Sequence, residues 1–170
     1  VLTQPREPAA LMAEVVRMRR RIEREFPAKS GWDVKYRRGG LVDLDFLAQA
    51  LQLRHALAHP GVLAVSTQGA FDALAGAGVL SRERADTLIE AVRLMRHVQG
   101  MLRLMAGSGV DASTADAGLM ARLAESCGEG DSEALRDRLD ETATGVHAIF
   151  ADLVERPAAP ALADEAEGTA

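Results

Sequence analysis

An all-α fold, a bundle of six helices with one short extended or hairpin element around residues 32–42, is what this sequence predicts. Three observations predict it. The composition is rich in Ala and Leu and poor in β-branched residues, which favours helix. Apolar residues recur at steps of three and four through most of the chain, the period of an amphipathic helix. Gly, Pro and capping residues interrupt these recurrences at short intervals, so the helices are joined by short loops, as in a bundle. At 170 residues the chain can bury a sizeable core, and with one Trp, one Tyr and four Phe that core must be filled by Leu, Ala, Val and Met.

The elements follow in order. After Pro5 and Pro8 a helix reaches about Phe26, with Leu11, Val15, Met18, Ile22 and Phe26 as its apolar stripe. Arg17, Arg19, Arg20, Arg21 and Arg24 cannot share one face, so most of them belong in solvent, and Pro27 stops the helix. Trp32, Val34 and Tyr36 alternate with Asp33, Lys35 and Arg37, the period-2 pattern of a short strand, before Gly39-Gly40 turns the chain. A helix over about 43–58 carries Leu44, Leu47 and Leu51 on one side and Phe46, Ala50, Leu53 and Leu57 on the next, an arc broad enough for a central position. His59-Pro60-Gly61 ends it, and a shorter helix over about 67–77 is capped by Ser66 or Thr67 and stopped by Gly78. Ser81 caps a long helix to about Ala106, with Ala85, Leu88, Val92, Met95, Gln99, Leu102 and Met105 as its core stripe and a break at Gly107-Ser108-Gly109. Helices over about 115–127 and 132–155 complete the bundle, the last with Leu135, Leu139, Thr142, Val146, Ile149 and Leu153 inward.

Residues 1–156 thus read as one helical domain, with a basic helix and junction segment at 1–42 and the bundle at 43–156. The Pro-, Ala- and acid-rich stretch at 157–170 lacks a core-forming pattern and reads as a disordered tail, a natural C-terminus. Val1 opens in mid-pattern, so the sequence reads as a piece of a larger protein. A single cysteine, Cys127, excludes an intramolecular disulfide framework and suits a reducing cytoplasm. No apolar run approaches the ~20 residues that span a bilayer, so no membrane partner is expected.

Charge is unevenly spread. Residues 1–40 hold ten basic against five acidic residues, whereas 41–170 hold ten against twenty, which together give the net −5. A basic front on an acidic body can face a polyanion or an acidic neighbouring domain, or it can be a solvated helix face. The negative total and the scarcity of aromatic stacking platforms argue against nucleic-acid binding.

Chemistry-bearing residues concentrate in KYRRGGLVDLDF: Lys35, Arg37 and Arg38, then Gly39 and Gly40, then Asp43 and Asp45. Two readings stand side by side. In one, Asp43 is an N-cap and Asp45 lies in the first helical turn, where carboxylates favour the dipole. In the other, the carboxylates hold Mg²⁺ or orient a basic partner. The glycine pair serves either reading by allowing positive φ or a close approach of backbone or ligand. His55 and His59 share a helix face at i, i+4, but HALAH lacks the Glu of a zinc-protease helix and a third ligand, so no metal site is assigned. His97, His147 and Cys127 are isolated and read as structural.

These residues carry a resemblance. Asp33-Val34-Lys35, Gly39 to Phe46, Gln49 and Gln52-Leu53 resemble the "D-(I/L/V)-K…GG-(I/L)-x-D-(I/L)-E-F…Q…QL" signature of glutamine synthetase adenylyltransferases, the bifunctional enzymes that adenylylate and deadenylylate glutamine synthetase. The basic helix before the signature and the stretch Ala70, Leu74, Gly78-Val79-Leu80, Ala91, Leu94 extend the likeness over about 1–106, and the helical pattern alone extends it over 107–156. Asp45 stands where the family usually has Glu, and Val42 where it usually has Arg. The related uridylyltransferases of the PII signal protein typically carry His at the place of Asp45, so the acid favours the adenylyltransferase branch.

The resemblance implies a helical domain following a nucleotidyltransferase domain, the second of two in the enzyme. It implies ATP and Mg²⁺ as cofactors of the parent, with none in this piece, and no catalytic residue here, because no Gly-Ser…Asp-x-Asp array of the family's catalytic domain precedes residue 33. The partners it implies are the upstream catalytic domain, glutamine synthetase and the PII protein. Lys35, Arg37, Arg38, Gly39, Gly40, Asp43 and Asp45 would then form the edge that meets the catalytic domain. The alternatives are a regulatory docking module for glutamine synthetase, PII or glutamine, and the equivalent domain of a PII uridylyltransferase.

Overall fold

The polypeptide winds into helices that share a single apolar core, seen here in a computed structural model that describes residues 7–106 and 115–167. Helix α1 spans Pro8–Glu25; the carboxylate of its N-cap Glu7 accepts the Ala10 N–H at 2.6 Å, and Pro8 occupies the first turn, where its missing N–H is harmless. Helix α2 spans Leu41–His55 and starts on Gly40, two residues before the expected start. A 3₁₀ turn at Pro60–Val62 leads to α3, Thr67–Gly76, capped by the Ser66 hydroxyl on the Gly69 N–H at 3.0 Å. Gly78, with φ 73°, closes α3 by sending its own N–H to Ala75 and that of Val79 to Leu74. Helices α4, Arg82–Ala106, and α5, Ala117–Ser126, follow, and the predicted break at 107–109 lies outside the described residues.

Helix α6, Ser132–Phe150, continues through a π-helical turn, Ala151–Glu155, into α7, Arg156–Glu167. The wide turn closes with the Arg156 N–H on the Ala151 carbonyl, one residue wider than the α-helical ladder. It falls just before Pro157, which cannot donate, so the loosened register carries the helix past the proline. Residues 157–167 are therefore helical, where the sequence reads as disordered. Their content explains it. Ala is the best helix former, and Ala158, Ala161 and Leu162 make a narrow apolar strip that packs against α1, with Ala158 fully buried.

Helix α2 sits at the centre, touching α1, α3, α4, α6 and the π turn, as its broad apolar arc predicts. Helix α3 packs on α4, and α5 on α6. On α4, α6 and α1 the core stripes differ from expectation. On α4 Val98 is buried, whereas the expected Gln99 and Leu102 are half-buried. On α6 the inward face runs Leu135, Leu139, Ala143, Val146, Phe150, then Val154 beyond it, so the small Ala143 replaces the expected Thr142. On α1 the buried residues are Leu11, Met12, Ala13, Val16 and Arg19, while Met18 and Phe26 stay half exposed. A fully buried arginine on that face is the reason, since a search for apolar periodicity passes over it.

Segment 32–42 also differs. Among the described residues it forms turns instead of a strand or hairpin. Trp32 and Val34 are buried, as the alternation requires, but Asp33 Oδ1 accepts the N–H groups of Lys35 at 3.2 Å and Tyr36 at 3.0 Å and folds the backbone into an Asx-type turn.

Removal of residues 157–170 tests the docking of α7. The truncated chain is expected to lose about 2 kcal/mol, the transfer free energy of the alanine and leucine surface given up, as read by urea denaturation. Unchanged stability would show that α7 contributes nothing to the bundle.

Candidate functional site

The charged and glycine-rich segment converges on Arg19 of α1. Its guanidinium is fully buried and pairs through Nε with Asp43 Oδ1, which is fully buried as well. The same guanidinium donates through Nη2 to the carbonyls of Tyr36 at 2.9 Å and Arg37 at 3.2 Å, the end of the turn that Asp33 starts. The other carboxylate oxygen of Asp43 accepts the Gly39 N–H. Asp43 is therefore in the first turn of α2, reaching back over the helix start, and Gly40 is the N-cap in its place. Arg19 and Asp43 are the buried charged residues among those described, and each neutralises the other.

The neighbouring predicted residues are anchors too. Arg37 donates to the Gly31 carbonyl at 3.1 Å and to Asp140 of α6 at 2.5 Å. Arg38 grips Glu23 of α1 with two bonds, 3.0 and 2.8 Å, and reaches Glu155 of the π turn at 3.1 Å. Gly39 has φ 72°, and a Cβ there would lie 1.8 Å from the Ala143 carbonyl oxygen of α6. A Cβ on Gly40 would meet the Val34 carbonyl oxygen at 2.7 Å. Gly39 thus lets the turn lie directly on α6, a close approach of backbone to backbone, and Gly40 lets the turn close on its own carbonyls.

Lys35 and Asp45 stand apart from this knot. Lys35 Nζ lies 4.5 Å from the centre of the Tyr36 ring, which stacks on Phe26. Asp45 accepts the Thr67 hydroxyl at 2.6 Å and faces Arg96 of α4 at 3.6 Å. Both line a groove of about 310 Å³ between the start of α2 and the second half of α4, together with Arg96 and Arg103.

The fit of these carboxylates to Mg²⁺ follows from their partners. Asp43 gives one oxygen to Arg19 and the other to the Gly39 N–H, and Asp45 already holds Thr67 and Arg96. A cation would have to displace the guanidinium at Asp43, whereas Asp45 engages Thr67 and Arg96 through Oδ1 alone; among the described residues no group of three His, Cys, Asp or Glu stands ready for a metal ion, so the pair by itself does not make a divalent-metal site. At the end of α2, burial first, then Arg54 and His59, hold the His55 imidazole below its ordinary pKa. His59 has left the helix to precede the 3₁₀ turn, so the expected shared face does not persist. Cys127 is a half-buried thiol, raised in pKa by burial. His97 meets the Ser126 hydroxyl at 3.0 Å, and His147 Nδ1 is buried without a protein partner.

Sequence reasoning missed Arg19. The signal was present: Met12, Val16 and position 19 are spaced four and three apart, a second stripe beside the one through Leu11 and Val15. Two changes test the knot. Asp43→Ala leaves a buried guanidinium unpaired and is expected to cost about 3–5 kcal/mol in denaturant melts. Adding Arg19→Met to it recovers only part of that loss, because the Tyr36 and Arg37 carbonyls and the Gly39 N–H stay orphaned; full recovery would reduce the knot to a simple ion pair. Gly39→Ala adds left-handed strain to a clash with Ala143 and is expected to cost about 3 kcal/mol or more, whereas Gly76→Ala, with open space around it, is neutral or stabilising.

Comparison with known proteins agrees with this architecture. The chain is 41% identical over 154 residues to a protein of Rhodopseudomonas palustris (strain BisB5) named bifunctional glutamine synthetase adenylyltransferase/adenylyl-removing enzyme, a match that covers 91% of this chain and 16% of the relative. Proteins of the same name from Bradyrhizobium diazoefficiens, 38% identical over 155 residues, and Xanthobacter autotrophicus, 34% over 158, each again match 16% of their own length. The chain thus spans about one sixth of the curated relatives it matches. A family model described as GlnD PII-uridylyltransferase matches residues 9–154, from the first turns of α1 to the π turn and so across the whole Arg19–Asp43 knot; the chain belongs to that family.

Proposed function

We propose that this chain is a helical domain of a glutamine synthetase adenylyltransferase, seated beside a nucleotidyltransferase domain. The observation that carries the reading is the pairing of 91% coverage of this chain with 16% coverage of the relatives, which is how one domain of a long multifunctional enzyme aligns. The parent then transfers AMP from ATP to a tyrosine of glutamine synthetase: the phenolic oxygen bonds to the α-phosphorus, the bond to the bridging oxygen breaks, and pyrophosphate leaves. ATP and Mg²⁺ belong to the catalytic domain, since the carboxylates here do not by themselves make a metal site. The reading places the enzyme in the cytoplasm, in the control of nitrogen assimilation, with glutamine synthetase and the PII protein as partners. No helix among the described residues is long and apolar enough to cross a membrane.

Within this reading the Arg19–Asp43 knot makes the domain rigid, and the exposed edge beside it, at Lys35 and Asp45, meets the catalytic domain. Positioning of this kind acts on rate through geometry alone. The second reading, a docking module or the equivalent domain of a PII uridylyltransferase, has support in the description of the family model. The acid at Asp45 and the names of the relatives favour the first.

The isolated 170 residues are expected to incorporate no AMP into glutamine synthetase from labelled ATP with Mg²⁺. In the full-length parent, Asp45→Asn is expected to lower turnover on the order of tenfold while leaving the melting temperature and synthetase binding intact. Unchanged turnover with weakened binding of synthetase or PII would select the docking module, and transfer by the isolated chain would end the first reading.

A further inference from the structure

The groove between α2 and α4 has a chemistry that the fold does not use. Arg96, Gln99, Gly100 and Arg103 lie at i, i+3, i+4 and i+7 on α4 and line one side of it, and Lys35 and Asp45 close the other. Three cations face one carboxylate there, an excess of two positive charges in a chain whose net charge is −5. Among the described residues neither Lys35 nor Arg103 has a carboxylate partner; Lys35 rests on the Tyr36 ring and Arg103 is exposed. Arg96 donates through Nη2 to the Thr67 hydroxyl at 3.1 Å, and the same nitrogen lies 3.6 Å from Asp45, beyond hydrogen-bond range, so the contacts to Thr67 and Asp45 occupy one edge of the guanidinium. Arg37, Arg38 and Arg138, by contrast, each close on a carboxylate at 3.1 Å or less.

Gly100 lines the same groove. It sits inside a 25-residue helix, and a Cβ there would meet nothing within 4 Å. A helix-interior glycine costs roughly 0.5–1 kcal/mol against alanine. Among the described residues nothing fills the space it leaves.

We propose that this groove binds a phosphate-bearing anion of two or more negative charges, held by Arg96 and Arg103 with Lys35 as the third cation. Guanidinium groups match phosphate oxygens in forked pairs, and the ammonium adds a point charge. The groove, at about 310 Å³, admits a group of pyrophosphate size. The Asp45 carboxylate opposes the anion and keeps Arg96 in place until the anion arrives. This inference rests on the chain itself and goes beyond its reading as an adenylyltransferase domain.

Calorimetric titration of the chain with orthophosphate, pyrophosphate and ATP, at low and moderate salt, tests it. Pyrophosphate is expected to bind saturably and more tightly than orthophosphate, and to weaken as salt rises. The double variant Arg96→Gln/Arg103→Gln is expected to weaken pyrophosphate at least tenfold, whereas Arg138→Gln, remote from the groove, leaves it unchanged. Gly100→Leu raises helix propensity and fills the space, so it is expected to raise the melting temperature while reducing binding at least tenfold. Equal affinity for ATP and pyrophosphate means that the phosphates alone are read; tighter ATP means that the nucleoside adds contacts. Absence of pyrophosphate binding, binding indifferent to both groove variants, or tighter binding of polyglutamate than of pyrophosphate would overturn the proposal. None of these failures would touch the assignment of the domain, which is tested by transferase assay.

Discussion

The bundle depends on one buried ion pair, Arg19 with Asp43. Taking a guanidinium and a carboxylate out of water costs several kcal/mol for each ion, and their attraction repays this only when the remaining donors and acceptors are also satisfied. Here two carbonyls of the turn and the Gly39 N–H do most of that work. The pair contributes less to raw stability than to specificity, because one arrangement of α1, the turn and α2 brings these groups together, and even there the buried Arg19 Nη1 is left without a hydrogen-bond partner among the described residues. A one-residue slip of α1 that placed Met18 opposite Asp43 would leave a buried carboxylate alone.

The rest of the architecture follows from that point. With the turn fixed, Gly39 presents its backbone to α6, and the fit is so close that a single methyl group would collide with Ala143. Arg37 and Arg38 then fasten the turn to Asp140 and to the π turn, while Arg38 also returns to α1 through Glu23. Helix α7, which rests on α1, inherits its place from the same knot. A few polar contacts around position 40 thereby set the relative placement of four helices whose apolar faces, taken alone, tolerate several registers.

Most helices were legible in the sequence because their signals are local: caps, terminating glycines and three/four periodicity fix α3, α4 and α5 without knowledge of partners. The misreadings share a physical cause. Arg19 lies on the buried face but looks like a solvent residue, so the stripe of α1 was drawn one position away. Its partner is 24 residues distant, and no local pattern reports such a pairing. Ala143 was passed over for Thr142 because a small residue matters only once Gly39 is known to touch it. The alternation of Trp32 and Val34 with charged neighbours does report burial, yet the Asp33 carboxylate decides in favour of turns. Similarly, Pro157 and Pro160 suggested a loose tail because the docking face of α7 is built of alanine, which carries almost no pattern.

The candidate site was legible as a place, although its chemistry was not. Cations, glycines and aspartates within eleven residues look like a reaction centre, whereas most of them are occupied in holding the chain together. The basic front of the sequence shows the same division. Arg19, Arg37 and Arg38 reach Asp43, Asp140 and Glu155 of the acidic body, while Arg21 with Glu25 and Arg38 with Glu23 pair inside the basic front itself, so part of the excess positive charge of residues 1–40 is drawn into the acidic body. Of the signature positions that the chain keeps, Asp33, Gly39, Gly40 and Asp43 are used by the fold, while Lys35, also kept, lines the groove beside α4. The positions where it departs, Val42 and Asp45, line that groove as well, and Asp45 also ties α2 to Thr67 at the start of α3. Buried contacts fix the first set, whereas the groove joins a kept cation to two changed positions. The part of the segment open to a ligand or a neighbouring domain is therefore where this chain's own chemistry enters.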